Sequence, residues 1–412
     1  MSLPDPPADS PILNLLPNAE TMVYGPPLED GSVVQIIESA GAFEAEYAAM
    51  RRHVGILPMP QRGILQLTGA DVKDYLHRLC TQNINALAGG STVRAFQLDE
   101  KGQIAADLIV HHGDASTWLE GDAFDLPWLA ELLEARMFTE DVTIEDWRGK
   151  RAFFWLLGPA AVRLLTAVAD DADAAGRVGS MPGTHHVLNL AGDFGVTCYR
   201  WDLGSVLGVR VAVPTKEAGA LFEALLKAAG YEHGSEVDAA FAARRRESLR
   251  GRPVGWSAFN TVRIEEGVPW PHVDFGRNSL PAEVPGPQGI DAAVSFNKGC
   301  YLGQEVVARM KSLGHPKKLL VGLTFEADGD VAAAELPMAG AQIFEAGEKQ
   351  KVIGGLTSST LSPMHGQTPI GMAIVRWGRH QPGTTVRLPA GGRLIEAKVT
   401  PLAELVQRRP GR

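Results

Sequence analysis

One stretch of this chain places a cysteine among residue types that can do chemistry. The sequence VSFNKGCYLGQEVVARM, from Val294 to Met310, carries Cys300 between Lys298 and two glycines. A thiolate is a nucleophile and a metal ligand, and a nearby cation favours its formation. Gly299 and Gly303 permit tight backbone turns and the close approach of a ligand. On this interpretation the stretch is a thiol site carried by a turn.

A purely structural interpretation of the same stretch stays open. Lys-Gly-Cys-Tyr can be a strand-to-helix turn in which Cys300 is a small buried apolar residue. Gln304 and Glu305 can satisfy backbone donors or begin a helix that EVVARM continues. Spacing places no histidine near the cysteine, so we expect hydrogen-bonded or surface roles for the histidines. Those considered are His111, His112, His272 and His315.

Two further charged features are candidates. Asp107 lies in AADLIV, and a carboxylate inside an apolar strand costs free energy unless it is paired or contacts a ligand. Both explanations stay open for it. The arginine run from Arg244 to Arg252 is typical of a solvated helix face, and an anion anchor is the less common alternative. No phosphate-binding loop or dinucleotide-binding glycine pattern occurs, so nucleotide chemistry has no support.

The elements that must position these residues are predicted from periodicity. A helix ended by Gly55 is followed by a strand, a turn at Thr68 and Gly69, and an amphipathic helix. VRAFQLDEKGQIAADLIVHH predicts a hairpin that turns at Lys101 and Gly102. Further on, a strand ending at Pro214 leads into a helix that Gly230 stops, and a second helix is predicted from about Val237. PAEVPGPQGI predicts an extended loop before the cysteine motif.

Beyond about Lys317 the pattern changes to short apolar runs separated by Gly, Pro and Ser. KLLVGLTF, KVIGGLTSS and PIGMAIVRW are examples. Such spacing predicts a separate β domain of sandwich or barrel type. The chain is therefore expected to be a mixed α and β protein.

Composition limits the class of protein. The chain has 412 residues, 45% hydrophobic and 21% charged, which suits two or three packed domains. A formal net charge of -9 argues against sequence-independent nucleic-acid binding. No apolar run suits a membrane helix, and the start lacks a basic signal-peptide region. Three distant cysteines indicate neither a disulfide framework nor a zinc site, so we expect a cytoplasmic protein.

The motif KGCYLGQE strongly resembles the signature of the YgfZ-like folate-binding proteins, relatives of the glycine cleavage T-protein that act in iron–sulfur cluster assembly and repair. RRHVGILPMPQRGILQLTGADVKDYLHRLCTQNINAL looks like the opening of that superfamily. VRIEEGVPWPHVDF followed by LPAEV resembles its arginine-glutamate-glycine-proline segment. IGGLTSSTLSPMHGQTPIGMAIVRW is similar to its C-terminal domain. These segments cover most of the chain from about Tyr24 onward.

The resemblance implies an α+β fold of the T-protein type. Residues 1–23 would be a flexible lead, residues 24–312 two interleaved α+β subdomains around a central tetrahydrofolate pocket, and residues 313–412 a C-terminal β barrel. Cys300 would be the functional residue, with Lys298 beside it. The partners would be iron–sulfur client or assembly proteins, with transient cluster contact at the thiol. The residues near the folate would be Asp107, Arg263, Gly299, Tyr301, Gln304 and Glu305.

This chain also departs from the T-protein pattern. GGILDDL of the T-protein is GQIAADL here, so Ala106 replaces one of two aspartates and only Asp107 remains. The GYTGE segment of the T-protein falls near RWDLGSVLG, where Val206 or a neighbour replaces the acid. Aminomethyl transfer needs a carboxylate that orients the folate amine. The main hypothesis is therefore a folate-binding accessory protein for iron–sulfur clusters, and the alternative is a tetrahydrofolate-dependent aminomethyl- or methyltransferase.

Overall fold

The protein is described by a computed structural model over residues 12–28, 31–191, 194–231, 249–312, 314–325, 336–347 and 351–405. Its segments alternate between two compact units. The first unit comprises Met1–Tyr75, Asn85–Val93 and Leu108–Phe259. The second unit comprises Leu76–Ile84, Arg94–Asp107 and Asn260–Arg412.

The N-terminal segment begins the first unit. Strands β1 (Glu20–Tyr24) and β2 (Val34–Ser39) form an antiparallel pair. Leu16 is only 3% exposed and joins the core of the unit. The predicted flexible lead therefore contains packed residues before Tyr24, because its leucines bury apolar surface. Residues 1–11 of that lead lie outside the described residues.

A six-stranded sheet organises the first unit, in the order β10-β11-β12-β9-β3-β13. Neighbouring strands are antiparallel except β13 and β3, which are parallel. The strands are β3 (Gly55–Pro58), β9 (Arg151–Leu157), β10 (His185–Leu190), β11 (Phe194–Arg200), β12 (Gly208–Pro214) and β13 (Arg252–Pro253).

A five-stranded sheet has the order β5-β6-β7-β4-β8. Two of its strands, β5 and β6, each run from one unit into the other. The predicted hairpin joins them, and Gly102 at its turn has φ of 72°. The strands are β4 (Arg62–Thr68), β5 (Ser91–Leu98), β6 (Ile104–His112), β7 (Thr117–Asp122) and β8 (Thr143–Asp146).

Eight helices lie in the described part of the chain. The helices that pack on the six-stranded sheet contribute leucines at helical spacing to the core of the first unit, as Leu221 and Leu225 do. The helix predicted from about Val237 and the arginines Arg244 to Arg246 lie outside the described residues. The helices are α1 (Phe43–Arg52), α2 (Val72–Leu79), α3 (Leu126–Glu134), α4 (Ala161–Val168), α5 (Ala172–Ser180), α6 (Ala218–Ala228), α7 (Trp256–Glu265) and α8 (Gln304–Ser312).

The second unit carries a closed barrel in the order β14-β17-β16-β15-β18-β19. Alternate residues of its strands point into an apolar core that includes Leu323, Ile343 and Val386. The predicted α+β fold with a C-terminal β barrel is confirmed. The barrel strands are β14 (Lys318–Phe325), β15 (Gln342–Glu345), β16 (Val352–Ser362), β17 (Thr368–Arg376), β18 (Thr385–Ala390) and β19 (Arg393–Thr400).

Among the described residues, every helix is too short or too polar to cross a bilayer.

Candidate functional site

Cys300 is exposed on the turn that precedes α8. The other two cysteines, Cys80 and Cys198, are buried, and burial raises the pKa of each thiol to about 12. The alternative in which Cys300 is a buried apolar residue is therefore wrong. An exposed thiol on a turn can be reached by a metal ion, a cluster or an electrophile.

Lys298 is buried and binds backbone carbonyls. Its ammonium donates to the carbonyl oxygens of Cys80 at 2.6 Å, Gln82 at 2.9 Å and His77. An ammonium has three N–H donors, so these three acceptors match its capacity. His77 and Cys80 lie at the C-terminal end of α2, where carbonyls lack helical partners. The contacts thus assign Lys298 to holding this helix end, and they do not support the predicted role of favouring a thiolate at Cys300.

The burial of Lys298 also has an electrostatic consequence. Only 8% of the residue is exposed, and burial lowers the pKa of its ammonium to about 8. The ring of Tyr301 lies 4.9 Å from the Lys298 nitrogen, close enough for a cation–π contact. Tyr301 is itself buried, and burial raises the pKa of its phenol to about 12. The side chains of Lys298 and Tyr301 therefore pack on the buried side of the turn that carries Cys300.

Gly303 joins the cysteine motif to the predicted hairpin. It has φ of 79°, and a Cβ at this position would lie 2.8 Å from the carbonyl oxygen of Asp99 and 3.0 Å from the Cα of Gly102. In turn, a Cβ at Gly102 would lie 2.8 Å from the Cβ of Val306 on α8. Two glycines therefore let the hairpin turn and the motif touch through their backbones. The sequence predicted both the hairpin turn and the cysteine motif, but no sequence pattern predicted the contact between them.

The other motif residues are less constrained. Gly299 is exposed, and a Cβ there would meet no atom within 4 Å. Gln304 begins α8, with its backbone N–H donating to the Tyr301 carbonyl. Glu305 is exposed and pairs with Arg309 one turn later at 2.5 Å. The predicted ligand contacts of these three residues stay predictions.

Asp107 on β6 forms a bidentate ion pair with Arg94 on β5. The Nε and Nη2 atoms of Arg94 lie 2.8 and 2.7 Å from the two carboxylate oxygens. This pair explains how a carboxylate is tolerated inside an apolar strand. The side chains retain 28% and 13% of their exposure, so solvent reaches both.

Arg263 on α7 is fully buried, with an internal ion pair. Its Nη1 lies 2.5 Å from Asp274, and its Nε donates to Asn260 at 2.8 Å. Asp274 also accepts from the hydroxyls of Thr357 and Ser358 on β16, each at 2.6 Å. These contacts connect the α7 segment to the barrel within the second unit. They are structural, and the predicted folate contact of Arg263 stays a prediction.

A buried charged cluster in the first unit was missed by sequence reasoning. Glu120 on β7 has no exposed surface and accepts from Arg62 at 3.0 Å and from Arg210 at 2.7 Å. Its second oxygen accepts from His111 at 3.2 Å and from the hydroxyl of Tyr199. The two guanidinium groups hold the pKa of Glu120 well below its usual range despite burial. Glu120 lies in the strand TWLEGD, in which only Trp118 and Leu119 are large apolar residues, so its sequence gave a weaker signal than that of Asp107.

Hydrogen bonds extend from this cluster through His111. Thr92 lies 3.0 Å from Nδ1 of His111 and 3.2 Å from Nδ1 of His185. Burial, followed by the nearby His111, lowers the pKa of His185 to about 4. His185 is therefore neutral near pH 7. The expected hydrogen-bonded role of His111 is confirmed.

Residues 35–298 match the family described as the GCVT N-terminal domain. This match spans more than half of the chain. The chain belongs to the glycine cleavage T-protein family. Residues 318–403 match the glycine cleavage T-protein C-terminal barrel domain, which agrees with the barrel of the second unit.

Individual members of the T-protein family match over nearly the whole chain. An aminomethyltransferase of Chlorobium chlorochromatii (strain CaD3) is 25% identical over 371 residues, which is 89% of this chain and 90% of the relative. One of Prosthecochloris aestuarii (strain DSM 271 / SK 413) is 24% identical over 386 residues, or 91% and 94%. The crystal structure of glycine cleavage system aminomethyltransferase T from Bartonella henselae has a TM-score of 0.76 at 21% identity, covering 97% and 98% of the two chains. The last likeness shows the fold alone.

The expected departures from the T-protein pattern, at Ala106 and Val206, lie at buried positions. Ala106, next to Asp107, is buried, and its methyl side chain offers no polar atom to a ligand. Val206 is also buried, and the nearby Asp202 accepts from Arg200 at 3.0 Å and from the backbone N–H of Gly208. Of the three acidic positions expected from the T-protein pattern, at 106, 107 and near 206, this chain keeps Asp107, whose side chain is partly exposed. The resemblance to the narrower YgfZ-like group stays a prediction.

Proposed function

We propose that this chain binds tetrahydrofolate and transfers to it a one-carbon group from an aminomethyl donor, in a reaction of the aminomethyltransferase type. Membership of the T-protein family supports this proposal, as do relatives named aminomethyltransferase that match about nine-tenths of the chain. The observation that carries it is Asp107, a partly exposed carboxylate held in a fixed orientation by Arg94.

The chemistry of Asp107 suits a folate amine. A carboxylate has about four lone-pair positions, and Arg94 uses two of them. The remaining positions can accept an N–H or hold a proton beside a reacting nitrogen. Because Arg94 fixes the carboxylate plane, little reorganisation is needed when a ligand arrives. Tetrahydrofolate would supply the amine that carries the one-carbon unit, and Asp107 would orient it.

An activity measurement tests this proposal. The chain is assayed for tetrahydrofolate-dependent release of a one-carbon unit from an aminomethyl donor, next to Asp107→Asn. We expect the substitution to lower turnover by about 100-fold or more, the range for loss of a positioned acid or base. Asp146→Asn is the matched control, since Asp146 also pairs with an arginine, Arg148, at 2.6 Å. Equal turnover by wild type and Asp107→Asn would refute the assignment.

A second function is favoured by a different observation, the exposed thiol of Cys300. We infer that this function is the accessory role in iron–sulfur cluster assembly or repair that the KGCYLGQE resemblance to YgfZ-like proteins implies. Cys300 would bind iron or a cluster transiently, because a solvent-accessible thiolate exchanges ligands readily. The partners would be iron–sulfur client or assembly proteins.

One experiment separates the two functions. Cells that lack this protein are supplied with wild type, Cys300→Ala or Asp107→Asn, and the activity of an enzyme that depends on a four-iron cluster is measured. Loss of rescue with Cys300→Ala alone supports the accessory role. Loss with Asp107→Asn alone supports one-carbon transfer. Equal rescue by all three chains would refute the accessory role, and the turnover assay then decides the assignment of Asp107.

A further inference from the structure

A small basic pocket in the first unit is not used by either proposed function. It has a volume of about 290 Å³ and lies where the end of α1, the start of α4 and the chain before β13 come together. We call it the basic pocket. Its lining residues are Arg52, His53, Pro159, Ala160, Arg163, Leu249 and Arg250.

The charges of the basic pocket are all of one sign. Three arginines and a histidine line it, and none of the seven lining residues is acidic. Within the described ranges, the structure gives the side chains of Arg52 and Arg163 neither an ion pair nor a hydrogen bond. Like charges around one concave surface repel each other and raise the local concentration of anions.

The start of α4 adds to the same potential. Ala160 precedes the helix, and no side chain caps its first N–H groups. A helix N-terminus carries a partial positive charge, so structure alone favours an acid or a capping hydroxyl there. This chain instead places Arg163 in the first turn. A cation in the first turn of a helix is unfavourable unless an anion binds nearby.

We propose that the basic pocket binds a phosphate-bearing ligand. Guanidinium groups match phosphate oxygens through pairs of parallel hydrogen bonds, and a doubly charged phosphate can use more than one arginine at once. A single carboxylate could neutralise only one of Arg52 and Arg163, whose side chains have no ion pair within the described ranges. Arg250 contributes from the chain before β13, at the end of the arginine-rich segment that the sequence singled out. The proposal does not depend on folate binding.

Titration calorimetry of the full chain with inorganic pyrophosphate tests this site. We expect saturable one-to-one binding that Arg163→Ala weakens by about 10-fold, as expected for loss of a charge-assisted hydrogen bond. Arg52→Ala should act similarly. Arg177→Ala is the matched control, because Arg177 is an exposed arginine on α5 of the same unit and does not line the pocket. Its affinity should stay within about twofold of wild type, as for a distant exposed charge in salt.

Three results would overturn the proposal. The first is no measurable binding of pyrophosphate to the wild-type chain. The second is an equal loss in Arg163→Ala and Arg177→Ala, which would mean attraction by diffuse surface charge only. The third is tighter binding of a triglutamate peptide than of pyrophosphate, which would make the pocket a carboxylate site. Arg52, Arg163 and Arg177 are all exposed, so we expect each variant to keep the fold. Circular dichroism of each variant checks this.

Discussion

The ammonium nitrogen of Lys298 lies 2.6 Å from the carbonyl oxygen of Cys80, which is 218 positions away in the sequence. This contact fastens the segment that carries Cys300 to the end of α2 in the second unit. The lysine and the cysteine of the KGCYLGQE motif therefore differ in role. One is an internal anchor, and the other is exposed.

Lys298→Met should destabilise the protein by about 2–4 kcal/mol, because three carbonyls would lose a charged donor. Chemical denaturation followed by circular dichroism measures the change. Lys101→Met is the control, since Lys101 is exposed at the hairpin turn. A loss below about 0.5 kcal/mol for Lys298→Met, the range of ordinary surface changes, would contradict the anchor.

Gly303→Ala and Gly299→Ala should differ strongly. Gly303 has φ of 79° and approaches the Asp99 carbonyl, so a methyl group there adds backbone strain and a clash of about 2 kcal/mol. Gly299 has open space around it, and its substitution should change the free energy of unfolding by less than about 0.5 kcal/mol. Equal effects of the two substitutions would mean that the contact with the hairpin turn is not formed.

These contacts show why part of the site could be predicted from sequence and part could not. The hairpin at Lys101 and Gly102 and the helix after Gly303 follow from local turn chemistry and periodicity. The partner of Lys298 is remote in sequence, so a neighbouring thiol was the only visible candidate. Glu120 lies in a strand that also contains Thr117 and Asp122, and its partners come from other strands, so no local pattern predicts the buried cluster.

Cysteine labelling should distinguish Cys300 from the other thiols. Iodoacetamide at pH 8 should modify one thiol of the native chain, because Cys80 and Cys198 are buried and the pKa of each is raised to about 12. Mass spectrometry of the intact chain counts the adducts. Cys300→Ser should remove the native label, and denaturation should expose the other two thiols. Rapid native labelling of Cys80 would show that the second unit opens readily.

Acid should destabilise the chain through His185. Its pKa is lowered to about 4 in the folded protein, so between about pH 6.5 and 4 the unfolded chain binds a proton that the folded chain does not. Stability is therefore present above this window and is lost as pH falls through it, by about 1–3 kcal/mol with solvent screening taken into account. Unfolding measured at several pH values should show a shallower slope for His185→Gln. An unchanged slope would argue against this group.

Glu120→Gln should be among the most damaging single substitutions in the first unit. It removes the charge that Arg62 and Arg210 share in a fully buried place, which costs about 3–5 kcal/mol. Glu145→Gln, at an exposed position of β8, should have little effect. Thermal unfolding compares the two variants. Similar melting temperatures for both would mean that the cluster adds no stability.

The alternation of the chain between its two units has a consequence for synthesis. The chain passes from one unit to the other after Tyr75, Ile84, Val93, Asp107 and Phe259. The segments Leu76–Ile84 and Arg94–Asp107 leave the ribosome early, yet their unit is completed only by residues that follow Asn260. More than a hundred further residues are translated before these two segments can pack against the rest of their unit. During that time apolar side chains such as Leu79 and Phe96, which are buried in the folded protein, are exposed to solvent. Nascent chains of this protein should therefore be chaperone clients until the barrel is complete.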